Sequence, residues 1–267
     1  MSNYTQPSVQ KESLAYEKIF NQRGALYNRA THLCPRARAT ERRLLIEMLD
    51  LRPGCTVYDA PAGGGYLADG IAALPGNSAR VVCVDPSLAF ARGIGGRFEK
   101  VVSSLERIGV ASESADRVGS LAGLHHLASK LNFFREAHRI LKPGGRFAAA
   151  DVRTGSAAAV FLNDVVDRLC ETGHDGVFLE EGELATLLRR AGFVEIIEQY
   201  HEYSWDFPDE HTLLKYFKDL FGLTKASLEE IHTEITQGLP VHIDGDGAHV
   251  TWSLVYAAGN KQGRSVS

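Results

Sequence analysis

Three consecutive glycines follow an acidic residue in the segment Asp59–Gly65, and a second acid, Asp85, comes about twenty residues later. Glycine lets a ligand approach the backbone without interference from Cβ, and it permits positive φ angles. If a helix begins after Gly65, its unpaired N–H groups would favour a phosphate or a carboxylate. An acid at the end of the next strand is placed to accept hydrogen bonds from two ribose hydroxyls. The spacing therefore predicts a ligand that contains a nucleoside.

The glycine turn alone does not choose between a dinucleotide and S-adenosylmethionine (SAM). Ala68 stands where the dinucleotide fingerprint has its third glycine, a replacement that the fingerprint sometimes allows. Asp59 precedes the first usual glycine position by two residues, and that position is occupied by Pro61. An acid there would point into the crevice, where it suits an ammonium group better than a pyrophosphate. These residues favour SAM.

Alternating strand and helix segments are predicted to position this turn. Short β-rich runs recur between Cys55 and Asp151, with helix-like segments between them. One predicted helix, over about 130–141, ends at the stop signal Lys142-Pro143-Gly144-Gly145. Such alternation indicates a parallel sheet covered by helices on both faces. Amphipathic helices precede the sheet, and a polar and aromatic stretch with a helix over about 211–221 precedes the last strand.

The chain resembles the class I SAM-dependent methyltransferase superfamily, particularly its ubiquinone/menaquinone and biotin-pathway branch. The resemblance rests on the motifs RGALY (23–27), VYDAPAGGGYL (57–67), VVCVDPS (81–87), ADRVGSLAGLHHL (115–127), RILKPGGRF (139–147) and AGFVE (191–195). It implies an α/β fold with a Rossmann-like, seven-stranded, mostly parallel sheet and flanking helices. The implied division is an N-terminal helical lid (1–50), a SAM-binding core (51–206), a substrate-lid insertion before the last strand (207–247), and the last strand with a tail (248–267).

The resemblance also implies contacts with the cofactor, SAM. Contacts with its methionine part are implied for Asp59, Ala60, Gly63, Gly65, Ser120 and Leu121. Contacts with its ribose and adenine are implied for Asp85, Pro86, Ser104 and Leu105. The chain departs from the family pattern at two places: Pro61 replaces the usual first glycine, and positions 103–105 hold no acid for the adenine.

Two residues are predicted to take part in catalysis. His125 follows the fourth strand, where a histidine can remove a proton near neutral pH. The alternative is that one ring of the pair His125-His126 packs and the other is solvated. Tyr27 lies on a leading helix, and the resemblance makes it a lid residue, with ordinary helix packing as the alternative. Arg23 on the same segment is predicted to be a solvated charge.

Three aromatic residues are predicted to contact the substrate: Tyr16, Tyr203 and Trp205. The last two belong to an alternating aromatic run, which a half-buried strand also produces, so core packing is the alternative. The group His242, Asp244, Asp246 and His249 lacks the ligand ladder of a calcium loop and indicates a turn. No metal ligand is predicted.

Composition narrows the class of partner. The balance of 29 basic and 33 acidic residues, a net charge of −4, gives no electrostatic reason to expect nucleic acid or an anionic membrane. Four dispersed cysteines form no C-x-x-C pair, and neither a signal peptide nor a membrane span is recognised. A cytoplasmic monomer or homodimer with a small-molecule substrate is expected.

Four functions remain open at this stage. The first is a methyltransferase acting on a small molecule of the secondary-metabolite type. The second keeps the cofactor but changes the chemistry: azetidine-2-carboxylate synthases of the same superfamily cyclise SAM and release methylthioadenosine. A SAM-binding protein without catalysis and an NAD-dependent dehydrogenase complete the set.

Overall fold

The computed structural model describes residues 16–76 and 78–264. Its strands are β1 (Thr56–Asp59), β2 (Arg80–Asp85), β3 (Glu99–Val102), β4 (Ala115–Leu121), β5 (Leu141–Asp151), β6 (Phe193–Phe207), β7 (Val241–Asp244) and β8 (Gly247–Lys261). Its helices are α1 (Tyr16–Leu33), α2 (Ala39–Leu49), α3 (Tyr66–Ala72), α4 (Leu88–Gly93), α5 (Lys130–Ile140), α6 (Ala157–Phe161), α7 (Asp167–Leu169), α8 (Glu183–Arg190), α9 (Glu210–Phe221) and α10 (Leu228–Gly238). A 3₁₀ turn spans Leu124–His126, and a π-helical turn, Leu162–Val166, joins α6 to α7.

One mixed sheet organises these elements, in the order β3-β2-β1-β4-β5-β8-β6. Strands β1 to β5 run parallel, whereas β8 is antiparallel to both β5 and β6. The Rossmann-like, mostly parallel arrangement is confirmed. The predicted number of seven strands is wrong for the described residues, because 241–244 adds an eighth strand that pairs with β8. The order reverses beside β1, so ligand crevices form at the carboxyl ends of β1 and β4.

Two hydrophobic layers cover the sheet. Successive strand residues alternate between them: Val57 faces the layer that contains α2 and α3, and Tyr58 faces the layer that contains α5 and α8. The central strands are therefore buried on both sides, which explains apolar runs such as 81–84 and 147–150, whereas the edge strand β3 is mostly exposed. None of the helices in the described ranges combines the length and the apolar character that crossing a bilayer requires.

Helix α1 lies over the carboxyl ends of the strands and packs against α4 and α9. A small cluster of Tyr16, Ile19, Phe20 and Phe90 fixes it there. Helices α9 and α10 form most of the segment predicted as an insertion. The beginning of the predicted N-terminal lid, residues 1–15, lies outside the described residues, and the predicted domain limits stay a prediction.

A buried carboxylate ties α2 to the sheet. Glu41 is fully buried and accepts hydrogen bonds from Arg38 Nε at 3.0 Å and from Trp205 Nε1 at 3.0 Å. Its backbone oxygen accepts a bond from Tyr256 Oη at 3.1 Å, and Tyr203 Oη donates to its side chain at 3.4 Å. This network holds the amino-terminal helices in register with β6 and β8.

Candidate active site

The glycine turn connects β1 to α3 as the sequence predicts. Gly63 and Gly65 adopt φ angles of 52° and 85°, which L side chains rarely tolerate. Asp59 ends β1, and its carboxylate accepts the Ala68 N–H at 3.1 Å. The carboxylate of Asp85 accepts the Gly63 N–H at 2.8 Å, so the acid at the end of β2 holds the turn directly.

These two acids are almost completely buried, each with 1% of its surface exposed. Burial raises the pKa of Asp59 well above its usual value, and the nearby charge of Asp85 adds to that rise. Burial also raises the pKa of Asp85 to about 7, although the N–H groups of Ser87 and Gly63 and the hydroxyl of Tyr16 oppose it. Two desolvated acids beside the turn favour a positively charged ligand group over a pyrophosphate.

A first cavity of about 440 Å³ opens beside the turn. Five predicted site residues line it: Tyr16, Tyr27, Asp59, Gly63 and Leu121. Tyr16 Oη donates to Asp85 at 2.9 Å, so α1 covers that acid. Tyr66 also lines the cavity, and its buried hydroxyl has no hydrogen-bond partner among the described residues. An unsatisfied buried hydroxyl indicates that a ligand atom completes the site.

A second cavity, of about 520 Å³, adjoins the first. Both cavities are lined by Phe20, Tyr27, Arg38, Ala122 and His126. The second alone is lined by Arg23, His125, Val152, Leu162, His174, Trp205, Leu220, Phe221 and Trp252. Its apolar side is a stack of rings, with Trp205 and Trp252 centroids 4.4 Å apart and an interplanar angle of 24°. The two cavities together can hold two ligands that touch.

Three imidazoles form the polar side of the second cavity. Nδ1 of His125 lies 2.6 Å from a carboxylate oxygen of Asp151, which ends β5 and is fully buried. Nδ1 of His174 lies 2.7 Å from Oδ1 of Asn163, which also accepts the Gly176 N–H at 2.9 Å. Because both partners are acceptors, each Nδ1 carries the proton and each Nε2 keeps its lone pair.

The electrostatic environment disfavours the charged form of two of these rings, His126 and His174. Burial lowers the pKa of His126 well below its usual value, and the neighbouring His125, His174 and Arg23 lower it further. The pKa of His174 is lowered by burial first, then by His125 and Arg23. Neutral imidazoles can accept a proton or bind a metal ion.

Arg23 is buried, which corrects the expectation of a solvated charge. Only 7% of its surface is exposed, because α9 closes over α1: Arg23 Nη2 donates to the backbone oxygen of Leu220 at 3.4 Å. Its Nε and Nη1 have no hydrogen-bond partner in residues 16–76 and 78–264. Burial lowers the pKa of the guanidinium, with smaller opposing effects from Cys170 and Tyr27. The second cavity thus contains a buried cation for which the described residues supply no counterion.

Several predicted contacts lie away from the two cavities as the described residues define them. Tyr203 is buried in the Glu41 network, Leu105 belongs to the core, and Ser104 is exposed. The remaining cofactor contacts that line neither cavity are Ala60, Gly65, Asp85, Pro86 and Ser120. Trp205 lines the second cavity and Tyr16 the first. The predicted roles of all these residues stay predictions.

Sequence reasoning missed several residues of the site, among them the polar residues Arg38, Tyr66, Asp151 and His174. Asp151 carried a usable signal, since an acid at the end of a parallel strand lies at the crevice edge. His174 carried none, because it is brought in by a loop that Asn163 of the π-helical turn holds in place. Single π-helical turns often occur at functional sites.

Comparison with known proteins agrees with this geometry. A family model described as a methyltransferase domain matches residues 58–149. The chain is 28% identical over 153 residues to the ubiquinone/menaquinone biosynthesis C-methyltransferase UbiE of Hahella chejuensis, a match that covers 54% of this chain and 61% of the relative. It is 31% identical over 114 residues to UbiE of Ectopseudomonas oleovorans, covering 39% of this chain and 67% of the relative. The match to the Hahella protein thus spans less than two thirds of that relative's length.

A solved structure extends the likeness to nearly the whole chain. A SAM-dependent methyltransferase from Thermotoga maritima superimposes with a TM-score of 0.61 and 21% identity, over 92% of this chain and 99% of that chain. The likeness covers the fold. Together with the family match and the glycine turn, it leads to one conclusion: the chain belongs to the class I SAM-dependent methyltransferase superfamily.

Proposed function

We propose that this enzyme transfers the methyl group of SAM to a small acceptor that carries a negative charge, and that the acceptor binds in the second cavity. The observation that carries the proposal is the buried guanidinium of Arg23, whose Nε and Nη1 have no partner in the described part of the chain. A buried charge is costly unless a counterion and hydrogen bonds compensate it. An anionic group of the acceptor would supply both.

The residues of the first cavity fit SAM. When bound, SAM supplies a methyl group that its sulfonium centre activates. Asp59 is a buried acid whose pKa is affected by burial, by the Ala68 N–H and by two other acids, but by no basic side chain of the described residues. It therefore suits the ammonium group of SAM. The unpartnered hydroxyl of Tyr66 is available to the methionine carboxylate. Asp85 is available to the ribose hydroxyls once the Tyr16 hydroxyl shares its carboxylate or moves aside.

The second cavity suits a flat acceptor of modest size. It combines an apolar lining with a few convergent polar groups, as small-molecule sites do. Trp252 lies against Trp205 and against Phe221, at centroid distances of 4.4 and 5.9 Å, so these rings offer a broad apolar wall. A cyclic acid would place its ring on that wall and its anionic group on Arg23. Positioning of this kind supplies much of the rate of a methyl transfer.

The contacts of His125 and Tyr27 support their proposed catalytic roles. His125 lines the second cavity, and Asp151 orients its ring so that Nε2 keeps a lone pair. Tyr27 lines both cavities, and its hydroxyl accepts a hydrogen bond from Arg38 at 2.9 Å. Their roles as proton acceptor and lid residue stay proposals.

The test pairs acids with their neutral analogues. The purified chain is incubated with methyl-labelled SAM and a panel of hydroxy- and aminobenzoates and aliphatic hydroxy acids, each beside its methyl ester. Mass spectrometry then measures S-adenosylhomocysteine and the methylated product. We expect methylation of at least one acid, with its ester a poorer substrate by about 10-fold or more, the ratio that one charged hydrogen bond of 1.5 to 3 kcal/mol gives.

Two results would contradict the proposal. Equal turnover of acids and esters would contradict the proposed role of Arg23 in binding an anionic group of the acceptor. Methylthioadenosine formed from SAM alone, without any acceptor, would favour the intramolecular cyclisation of the azetidine-2-carboxylate synthase type.

A further inference from the structure

The three histidines of the second cavity lie close enough together to bind one metal ion. His125, His126 and His174 each offer a nitrogen atom, and these atoms all lie within 4.8 Å of one another. A tetrahedral zinc ion with Zn–N bonds of 2.0 to 2.1 Å separates its nitrogen ligands by about 3.4 Å. The rings therefore need to move inwards by about an ångström, which side-chain rotation provides.

Two of the three rings are already oriented as metal ligands usually are. In metal sites a ligating histidine donates its other N–H to a carboxylate or carbonyl group, which fixes the tautomer and the ring. Nδ1 of His125 has such a partner in Asp151 at 2.6 Å, and Nδ1 of His174 has one in Asn163 at 2.7 Å. Both Nε2 atoms are thereby left with the lone pair that binds metal. His126 makes no such bond within the described ranges, so its ring is the adjustable member.

We propose that His125, His126 and His174 bind a divalent transition-metal ion, with Zn²⁺ as the best match to three imidazole ligands. Three protein ligands leave a fourth position open, and that position faces the acceptor cavity that the three residues line. This inference goes beyond the proposed methyl transfer and uses the same cavity.

The charge balance identifies what occupies the fourth position. A divalent ion would add to the positive charge of Arg23, which has no carboxylate partner in the described chain. Asp151 supplies one negative charge behind His125. An anionic oxygen of the acceptor that binds the metal, while Arg23 donates to the same group, lowers the remaining excess of positive charge. In this arrangement His125 is a metal ligand, and its lone pair is not available as a general base.

Metal binding can be measured without a known acceptor. The full chain is stripped with a chelator, dialysed and titrated with Co²⁺ and with Zn²⁺, and the bound metal is counted by elemental analysis. We expect one ion per chain and the visible absorption of four-coordinate cobalt. His126→Ala and His174→Ala should abolish both. Asn163→Ala keeps all three ligands and should weaken binding by about 10- to 100-fold, as loss of an outer-shell partner does.

His242→Ala is the matched control. His242 is an exposed histidine that pairs with Asp244 at 2.8 Å on the β7–β8 hairpin, so it could bind metal adventitiously. The control should keep the bound ion and the cobalt spectrum. Loss of the ion in this variant, its retention in His174→Ala, or the absence of binding by the parent chain would each overturn the site.

Benzoate serves as the probe for the open position. We expect it to shift the cobalt spectrum of the parent chain, with at least 10-fold weaker binding to the Arg23→Met variant. A spectrum that benzoate leaves unchanged would overturn the proposed open position. These readouts are independent of turnover, so a chain that binds metal but methylates no acid would refute the proposed function alone.

Discussion

Replacement of Arg23 by methionine should stabilise the protein and impair its activity. Two guanidinium nitrogens are buried without a partner among the described residues, and each such donor costs about 1 to 3 kcal/mol. The substitution also loses the 3.4 Å bond to Leu220 and a distant contact with the Phe20 ring, together worth about 1 to 2 kcal/mol. Subtracting this loss from about 2 to 6 kcal/mol leaves a net gain of about 0 to 5 kcal/mol, which brackets the 1 to 4 kcal/mol gained when buried ion pairs are replaced by apolar residues.

Thermal unfolding of the ligand-free chain measures this gain. A change of 1 kcal/mol moves the Tm of a domain of this size by about 2 to 4 °C, so Arg23→Met should raise it by several degrees. Arg43→Met is the control, because Arg43 pairs with Glu47 on the exposed face of α2 and both side chains are 57% exposed. That control should change the free energy of unfolding by less than about 0.5 kcal/mol. A lower Tm for Arg23→Met would refute the assignment of Arg23 as an uncompensated charge.

Three further predictions follow from the same contacts. Asp85 must be ionised to accept hydrogen bonds from both ribose hydroxyls, and its pKa is raised to about 7. Calorimetry should therefore show the affinity for SAM falling about tenfold per pH unit below that pH. An affinity that stays unchanged down to pH 5.5 would contradict this role of Asp85. The pKa of Asp85 in the folded chain also exceeds its unfolded value of 3.8, so the ligand-free chain should lose stability as the pH rises from about 4 to 7. Urea titrations at several pH values measure the free energy of unfolding, and a rise in stability over this range would argue against the shift. Glu41→Ala should cost about 3 to 5 kcal/mol in urea unfolding because it leaves Arg38 buried and unpaired, while Glu47→Ala at the exposed pair should cost under about 1 kcal/mol; similar losses in both would show that the Glu41 network is not stabilising.

The glycine turn and the two acids beside it were predictable because they are local in sequence. The positive φ angles at Gly63 and Gly65 favour glycine, and Asp59 and Asp85 end adjacent strands whose apolar runs are easy to recognise. The parallel register of β1 and β2 brings the two acids and the turn together. The fold class follows from the same alternation.

The lining of the second cavity was not predictable, because burial there depends on distant segments. Arg23 is typical of an exposed helix residue until α9, almost 200 positions later, covers it at Leu220, a separation of 197 residues. His174 faces the cavity only because the π-helical turn presents Asn163 to it. The eighth strand, β7, is a short and mostly exposed edge strand, and its pairing is fixed by β8 rather than by an apolar pattern of its own.

Helix α1 has a consequence for how the enzyme exchanges its ligands. Phe20 and Tyr27 face both cavities, and Tyr16 covers Asp85. Because residues of α1 line both cavities, a movement of this helix that opens one cavity also opens the other. We expect S-adenosylhomocysteine and the methylated product to leave during the same opening event. The detachment of α1 then sets the turnover rate. Neither product can be exchanged for a new ligand while the other is still bound.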